Sequence, residues 1–336
     1  MGNPETNGNG IGLDQVSYFM ENVNLQKISS GATVDWERIE HVLVHEMNIT
    51  MDNSRGMSIG SGLGLKPLRQ TAELGIPVDC LEINPNALLQ SINLFNQLKI
   101  PLKMPHVYFF ADDITRRADE VDLKPQPYTM NENEATGVLG EMLRAGEATL
   151  NGEFLSQNIV KKEKVYDFMI AEALFCNVVG RSPLDRAIRN VGRMLKPGGR
   201  LFVADCIDAR DEHLVRPMLR REGMGYEKVE EYVRDWQERY NNNVELGKLL
   251  GKRVDSGTFV VMEPGVGKEQ ELAKAKVLKY LYDEKKVERW ARHFRMEYFR
   301  QKMTNNGLSI CEFEPIVWRS RTGLPIAGFR AEFEKV

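Results

Sequence analysis

Glycine alternates with other residues in the loop Gly60-Ser61-Gly62-Leu63-Gly64, directly after a short apolar run. Glycine loses more conformational freedom on folding than any other residue, so regular structure disfavours it. Alternating glycines therefore indicate a backbone that turns sharply and lets a ligand come very close. The same spacing is also typical of a plain tight turn, and both interpretations stand for the loop taken alone.

An acidic residue, Glu82, ends the next apolar run, just before Ile83. It lies roughly 20 residues past the glycine loop, where a carboxylate can accept hydrogen bonds from both hydroxyls of a ribose. A solvated acid at the end of a strand is the alternative. The combination with the glycine loop favours the ribose interpretation.

Two further apolar runs end in acids. The first leads into Asp112, Asp113 and Ile114, where an aspartate can accept from the exocyclic amine of adenine while a neighbouring backbone N–H meets a ring nitrogen. An Asx-turn is the alternative there. The second leads into Glu172 and Ala173. Glu172 either contacts a ligand at the rim of the same crevice or caps the next turn.

The elements that carry these residues alternate between strand-like and helix-like patterns. Short apolar runs predict strands at 56–60, 77–83, 106–114, 165–174 and 200–207. Helical spacing predicts helices at 13–28, 35–49, 65–75, 84–99 and 182–199. Two β-rich runs at the end predict a hairpin. This order predicts an α/β fold with a doubly wound, mostly parallel sheet and a C-terminal antiparallel hairpin, whose ligand lies at the carboxyl ends of the strands.

The same pass predicts six parts of the chain. They are a disordered tail (1–12), an N-terminal helical segment (13–54), a Rossmann-like core (55–210) with an insertion or lid (115–165), a helical substrate or cap region (211–305) and the terminal hairpin (306–336).

The glycine spacing and the acids at the strand ends narrow the class of ligand. The loop matches neither GxGxxG nor a GxxxxGK[ST] phosphate loop, and the strand ends carry acids where a pyrophosphate would need neutral or positive groups. An adenosine with a cationic, phosphate-free tail fits better.

The net charge of −3 does not favour nucleic acid as a partner. The four cysteines show no metal-like spacing, which predicts no metal site and reduced thiols in a cytoplasmic protein. The sequence contains no run of ~18 apolar residues, so no membrane-spanning helix is expected.

At this point the chain resembles the class I S-adenosylmethionine-dependent methyltransferases. The likeness covers "SIGSGLG", "LEINP", "ADDI", "YDFMIAEALF" and "LDRAIRNVGRMLKPGGRLFVAD". It implies S-adenosyl-L-methionine as cofactor, with S-adenosyl-L-homocysteine as product. Where the family has an acid two residues before the first glycine, this chain has Ser58. The resemblance leaves open how the methionine amine is held, and Glu172 or a backbone carbonyl is the substitute.

The resemblance implies in-line methyl transfer driven by positioning, with no obligatory catalytic residue. His213 and Glu172 are the candidate catalytic residues, and His293 is a further candidate base. The segment 206–240 is the candidate substrate-binding region. Candidate substrate-binding aromatic residues are Tyr128, Tyr226, Trp236 and Tyr240, although at helical spacing such residues also form cores.

Several activities stay open. A small-molecule methyl acceptor, methylated on nitrogen, oxygen or sulfur, ranks first. RNA or protein methylation is kept open by the basic clusters 216–221 and 285–295, which also match solvated helix faces. Transfer of the aminocarboxypropyl group is a third activity, and Ser58 favours a fourth, cofactor binding without turnover. The first helices are predicted either to pack over the cofactor or to form a homodimer.

Overall fold

The structure is a computed structural model. It describes residues 34–49, 54–60, 76, 78–82, 109–111, 113–115, 117, 163–178, 181–249, 258–264, 287–319 and 325–336.

The described strands form a seven-stranded sheet and a separate two-stranded sheet. The strands are β1 (Gly56–Ile59), β2 (Val78–Glu82), β3 (Phe109–Ala111), β4 (Tyr166–Glu172), β5 (Leu195–Cys206), β6 (Thr258–Pro264), β7 (Val287–Phe294), β8 (Leu308–Arg319) and β9 (Pro325–Lys335). The larger sheet has the order β3-β2-β1-β4-β5-β9-β8. It is mostly parallel and ends in the antiparallel C-terminal strands, as the sequence predicts.

The centre of this sheet is buried on both faces. Every residue of β1 is buried, and β2 and β4 are buried except at a few positions. Continuous apolar runs of this kind are typical of parallel strands covered on both sides. Gly56 opens β1 because the ring of Phe168 on β4 occupies its side-chain space: a Cβ there would lie 2.2 Å from a ring carbon.

Five α-helices lie in the described part of the chain. They are α1 (Trp36–His41), α2 (Arg181–Met194), α3 (Glu212–Arg221), α4 (Tyr226–Leu249) and α5 (Met296–Thr304). The carboxylate of Asp35 caps α1 by accepting the N–H of Arg38 at 3.1 Å. None of the described helices combines the length and apolar character needed to cross a membrane.

A charge network fixes the amino ends of the central strands. The guanidinium of Arg55 donates two hydrogen bonds of 2.8 Å to the fully buried carboxylate of Asp79 on β2. The hydroxyl of Tyr166, the first residue of β4, donates to the same carboxylate at 2.8 Å. Burial, followed by the adjacent Asp79, raises the pKa of Tyr166. Beside them Asp167 accepts the N–H of Arg55 and pairs with Lys196, both at 2.8 Å.

Two predictions about the elements are wrong in part. The predicted helix 182–199 ends at Met194, and β5 begins at Leu195 rather than at residue 200. The predicted helical region 211–305 contains two strands, β6 and β7, which pair antiparallel. The basic cluster 285–295 therefore does not form a helix face. The β-branched run at the start of β6 favours a strand. Its pairing with β7, which is distant in the sequence, decides between a strand and a helix for this segment.

The described residues divide into two compact units. The first unit contains residues 34–172, 186–202 and 333–336, and the second contains residues 173–185 and 203–332. The predicted insertion 115–165 and the predicted helices 13–28, 65–75 and 84–99 lie almost entirely outside the described residues. Cys80, Cys176 and Cys206 are buried free thiols, as predicted.

Candidate functional site

Strand register places three of the predicted site residues in one row of the first unit. Ile59 on β1 is level with Leu81 on β2 and with Ala171 on β4. One step further along the parallel strands, Gly60, Glu82 and Glu172 therefore share the next row. Parallel strands present their carboxyl ends at the same edge of a sheet, which is where ligands bind in doubly wound folds.

Gly60 turns the chain sharply as it leaves β1. Its φ of 63° lies in the left-handed region, which glycine adopts without the steric cost that a Cβ brings. Its N–H donates to the carbonyl of Leu81 at 2.7 Å, so the turn begins while the backbone is still paired to β2. The side chain of Glu82 is partly exposed at the end of β2, beside this turn. Its assignment to a ribose stays a prediction.

The turn after β3 is an Asx-turn, in agreement with the alternative considered for Asp113. The carboxylate of Asp113 accepts the N–H of Thr115 at 2.8 Å. Helix α2 fixes this turn from the side, because Asn190 donates to the carbonyl of Ile114 and Arg186 donates to the carbonyl of Thr115, both at 2.6 Å. Ala111, the last residue of β3, is level with Glu82, so the turn starts at the same edge of the sheet.

Glu172 holds the segment that leads into α1. Its carboxylate accepts the N–H of Val34 at 2.8 Å, across 138 residues of sequence. The sequence predicted Glu172 at the rim of the crevice but did not predict this bond. Every residue other than proline has a backbone N–H, so nothing in the sequence around Val34 marks its N–H as the donor to Glu172. The bond brings the start of the N-terminal helix to the end of β4. The next residue, Ala173, has a left-handed φ of 49° and marks a strained turn out of the strand.

A buried carboxylate that the sequence analysis missed clamps the turn after β4. Asp205, fully buried near the end of β5, accepts the backbone N–H groups of Phe175, Cys176 and Cys206 at 2.8–3.2 Å. Burial raises the pKa of Asp205 to about 7, against the opposing effect of these N–H donors. An acid inside the strongly apolar run "LFVADC" is the sequence signal that identifies such a residue.

Asp205 also lies close to two thiols. One ligand-type atom each from Cys176, Asp205 and Cys206 lies within 4.8 Å of the others. Both carboxylate oxygens already accept backbone N–H groups, and the Cys176 thiol donates to the carbonyl of Ala173 at 3.3 Å. These bonds account for the cluster as a structural clamp, so we assign no metal to it.

The candidate acceptor-site residues that the structure describes belong to the second unit. His213 is exposed on α3. Tyr226 is 66% exposed at the start of α4, with the guanidinium carbon of Arg220 5.1 Å from its ring centroid. Tyr240 lies on α4.

Trp236 belongs instead to an aromatic stack. Its ring centroid lies 4.3 Å from that of His293 and 5.9 Å from that of Tyr232. His293 is buried, and its Nδ1 lies 3.2 Å from the carbonyl oxygen of Ile207, just past the end of β5. Because a carbonyl only accepts, Nδ1 carries the proton in this contact. The stack supports the core interpretation of Trp236 more than the pocket interpretation.

Several predicted site residues fall outside the described part of the chain and stay predictions: Ser61, Gly62, Gly64, Ile83, Asp112 and Tyr128. Ser58, which stands where the family has an acid, is 3% exposed inside β1. Its hydroxyl therefore lies within the sheet and not in the glycine loop.

The sequence matches no protein-family model. It also matches no curated protein sequence. A SAM-dependent methyltransferase from Methanosarcina mazei is similar in structure, with a TM-score of 0.53 and 17% identity over 87% of this chain and 96% of that one. A 1,6-didemethyltoxoflavin-N1-methyltransferase from Burkholderia thailandensis, with S-adenosylhomocysteine bound, has a TM-score of 0.47 and 9% identity over 96% of this chain and 86% of its own. Of these two structures, only the first has a TM-score above 0.5, so the likeness in fold is drawn from that structure.

Proposed function

We propose that this chain, which has the fold of the class I S-adenosylmethionine-dependent methyltransferases, transfers a methyl group from S-adenosyl-L-methionine to a nitrogen, oxygen or sulfur of a small molecule. The observation that carries the proposal is the row of Gly60, Glu82 and Glu172 at the carboxyl ends of three adjacent parallel strands. A tight glycine turn beside two carboxylates suits an adenosine with a cationic tail better than it suits a pyrophosphate.

The described residues fit that cofactor. The left-handed turn at Gly60 brings bare backbone to the end of β1, and Glu82 offers a partly exposed carboxylate to a ribose in the next strand position. The turn at 113–115 is held rigidly enough by α2 to present backbone groups to a base. Asp113 is engaged in its own turn, so the backbone of this segment is the better candidate for reading adenine.

When bound, S-adenosylmethionine would supply an electrophilic methyl on its sulfonium. The protein's own part is then to align a nucleophile, exclude water and, for some acceptors, remove a proton. The Glu172–Val34 bond supports a role for the N-terminal segment in excluding water, because it holds that segment at the row. It favours packing over the cofactor rather than dimer formation as the role of α1.

Charge pairing supports a small-molecule acceptor rather than RNA. The cluster 216–221 carries three arginines, but Arg216 pairs with Glu212 at 2.9 Å and with Glu230, and Arg220 lies 3.9 Å from Glu230. Two of the three arginines are therefore already matched by acids on α3 and α4, and they offer little net charge to a phosphate backbone. This finding agrees with the net charge of −3.

Binding of the cofactor without turnover is the second candidate function. Ser58 favours it, since the acid that the family carries at this position is replaced by a buried hydroxyl inside β1. A sensor of this kind would bind S-adenosylmethionine and yield no S-adenosylhomocysteine with any acceptor. Production of S-adenosylhomocysteine in a screen of amine, phenol and thiol acceptors distinguishes the enzyme from the sensor.

Calorimetric titration tests the cofactor directly. S-adenosylmethionine and S-adenosylhomocysteine should bind, and NAD should not. Glu82→Ala should weaken binding by about 1–3 kcal/mol, because hydrogen bonds to a charged acceptor are lost. Glu227→Ala, an exposed acid on α4, is the matched control and should leave the affinity unchanged. Unchanged affinity in Glu82→Ala would remove Glu82 from the site, and binding of NAD alone would overturn the proposal.

A further inference from the structure

A cavity of about 320 Å³ lies inside the second unit. The start of α3 contributes His213 and Leu214 to its wall, and the start of α5 contributes Met296 and Arg300. Phe313 on β8 completes the apolar part. The volume is at the lower end of the range for small-molecule pockets, about 300–1,000 Å³, and suits a ligand built around a single ring.

One ion pair in the wall brings no net charge. Asp211 is buried, accepts the N–H of Met296 at 2.6 Å, and is paired with the guanidinium of Arg295. Since both charges are matched, this pair fixes the two helix starts relative to each other. It leaves the charge of the cavity to the remaining polar residues.

Those residues are Arg300, Glu297 and His213, all of them exposed. Arg300 makes no ion pair within the part of the chain that the structure describes. Glu297 is three residues earlier on the same helix and therefore lies on the same face, yet the two side chains do not pair there. A guanidinium at the mouth of a cavity is a fork-shaped donor that matches a carboxylate.

The remaining wall selects the body and the charge of the ligand. Leu214 and Phe313 are half-buried and Met296 is buried, so the inner wall offers apolar surface. Glu297 adds one negative charge to this wall, so the wall's capacity to bind an anion is limited to the single guanidinium of Arg300. The wall therefore combines one cation for a single anionic group with an apolar surface for a ring.

We propose that this cavity is a binding site for a small aromatic carboxylate. The ligand's carboxylate pairs with Arg300, and its ring lies against Phe313 and Leu214. Occupation of this cavity does not depend on methyl transfer.

Calorimetry with phenylacetate as the probe tests the proposal on the 336-residue chain. Phenylacetate should bind, and phenylacetamide, which has the same shape without the charge, should bind at least about tenfold more weakly. Arg300→Gln should raise the dissociation constant of phenylacetate at least about tenfold. Arg221→Gln, an exposed arginine at the end of α3 and outside the cavity wall, is the matched control and should leave it unchanged.

Phe313→Ala tests the apolar wall and should weaken both probes by a similar factor. If that variant fails to fold, the comparison of Arg300→Gln with its control still decides, because Arg300 is exposed and its replacement leaves the core intact. Three results would each overturn the proposal. They are equal affinity for phenylacetate and phenylacetamide, unchanged affinity for phenylacetate in Arg300→Gln, and no binding of phenylacetate at up to ~10 mM, which means a binding free energy weaker than about −3 kcal/mol.

Discussion

The buried carboxylate of Asp205 predicts a specific dependence of stability on pH. Its pKa is about 7 in the folded chain, raised by burial, whereas an unfolded aspartate has a pKa of about 3.9. The folded state therefore keeps a proton that the unfolded state releases. The stabilising contribution is fully present below about pH 4 and is lost as the pH rises to about 7, by about 1.4 kcal/mol per pH unit.

The whole effect is on the order of 4 kcal/mol, worked from the difference of about three pKa units. Asp205→Asn removes the titration while keeping a side-chain oxygen that can accept the N–H groups of Phe175 and Cys176. The free energy of unfolding of the wild type minus that of the variant should therefore fall between pH 4.5 and pH 7.5, and should be flat at higher pH.

Urea unfolding followed by tryptophan fluorescence at a series of pH values measures this difference. Asp235→Asn on α4 is the control, because it makes the same substitution at an exposed position and should not reproduce the pH dependence expected of Asp205→Asn. A difference for Asp205→Asn that is flat or rises with pH would refute the reasoning. It would mean that the backbone N–H donors outweigh burial and keep Asp205 ionised throughout.

Three further predictions concern the first unit. Gly60→Ala should lower the free energy of unfolding by about 1–2 kcal/mol, since its φ of 63° is left-handed; Gly225→Ala, with open space around its Cβ, should change it by less than about 0.5 kcal/mol, and equal effects would contradict the assignment. Arg55→Met should destabilise the fold by about 3–5 kcal/mol by leaving buried Asp79 uncompensated, and a chemical denaturation midpoint equal to that of the wild type would contradict this. Glu172→Ala should speed amide exchange in the segment before α1, measured by mass spectrometry, and unchanged protection there would remove the proposed anchor.

The strands β1, β2 and β4 and the start of α1 could be predicted from sequence, because residues close together in the chain determine each of them. Apolar runs that end in Ile59, Glu82 and Glu172 define β1, β2 and β4 to within two residues, and their order gives the sheet. Asp35 as the cap of α1 was predictable for the same reason, since a capping residue and the donor it binds are three residues apart.

The part that could not be predicted depends on partners far apart in the chain. The donor to Glu172 lies 138 residues away, and two of the three donors to Asp205, Phe175 and Cys176, lie about 30 residues away. The strands β6 and β7 form from segments with mixed propensity, and their pairing decides the outcome. Sequence spacing therefore places the acids at strand ends but does not say which of them are engaged by the fold itself.

The ion pair of Arg55 with Asp79 also restricts how the strands can be aligned. Asp79 is level with Met57, and its side chain meets both the guanidinium of Arg55 and the hydroxyl of Tyr166. A slip of β2 by one residue would turn this carboxylate to the opposite face of the sheet, away from both partners. An unpaired buried charge costs about 3–5 kcal/mol, so misaligned sheets are selected against while the chain folds. Correct alignment at the amino ends then fixes which residues of β1, β2 and β4 reach the opposite edge together.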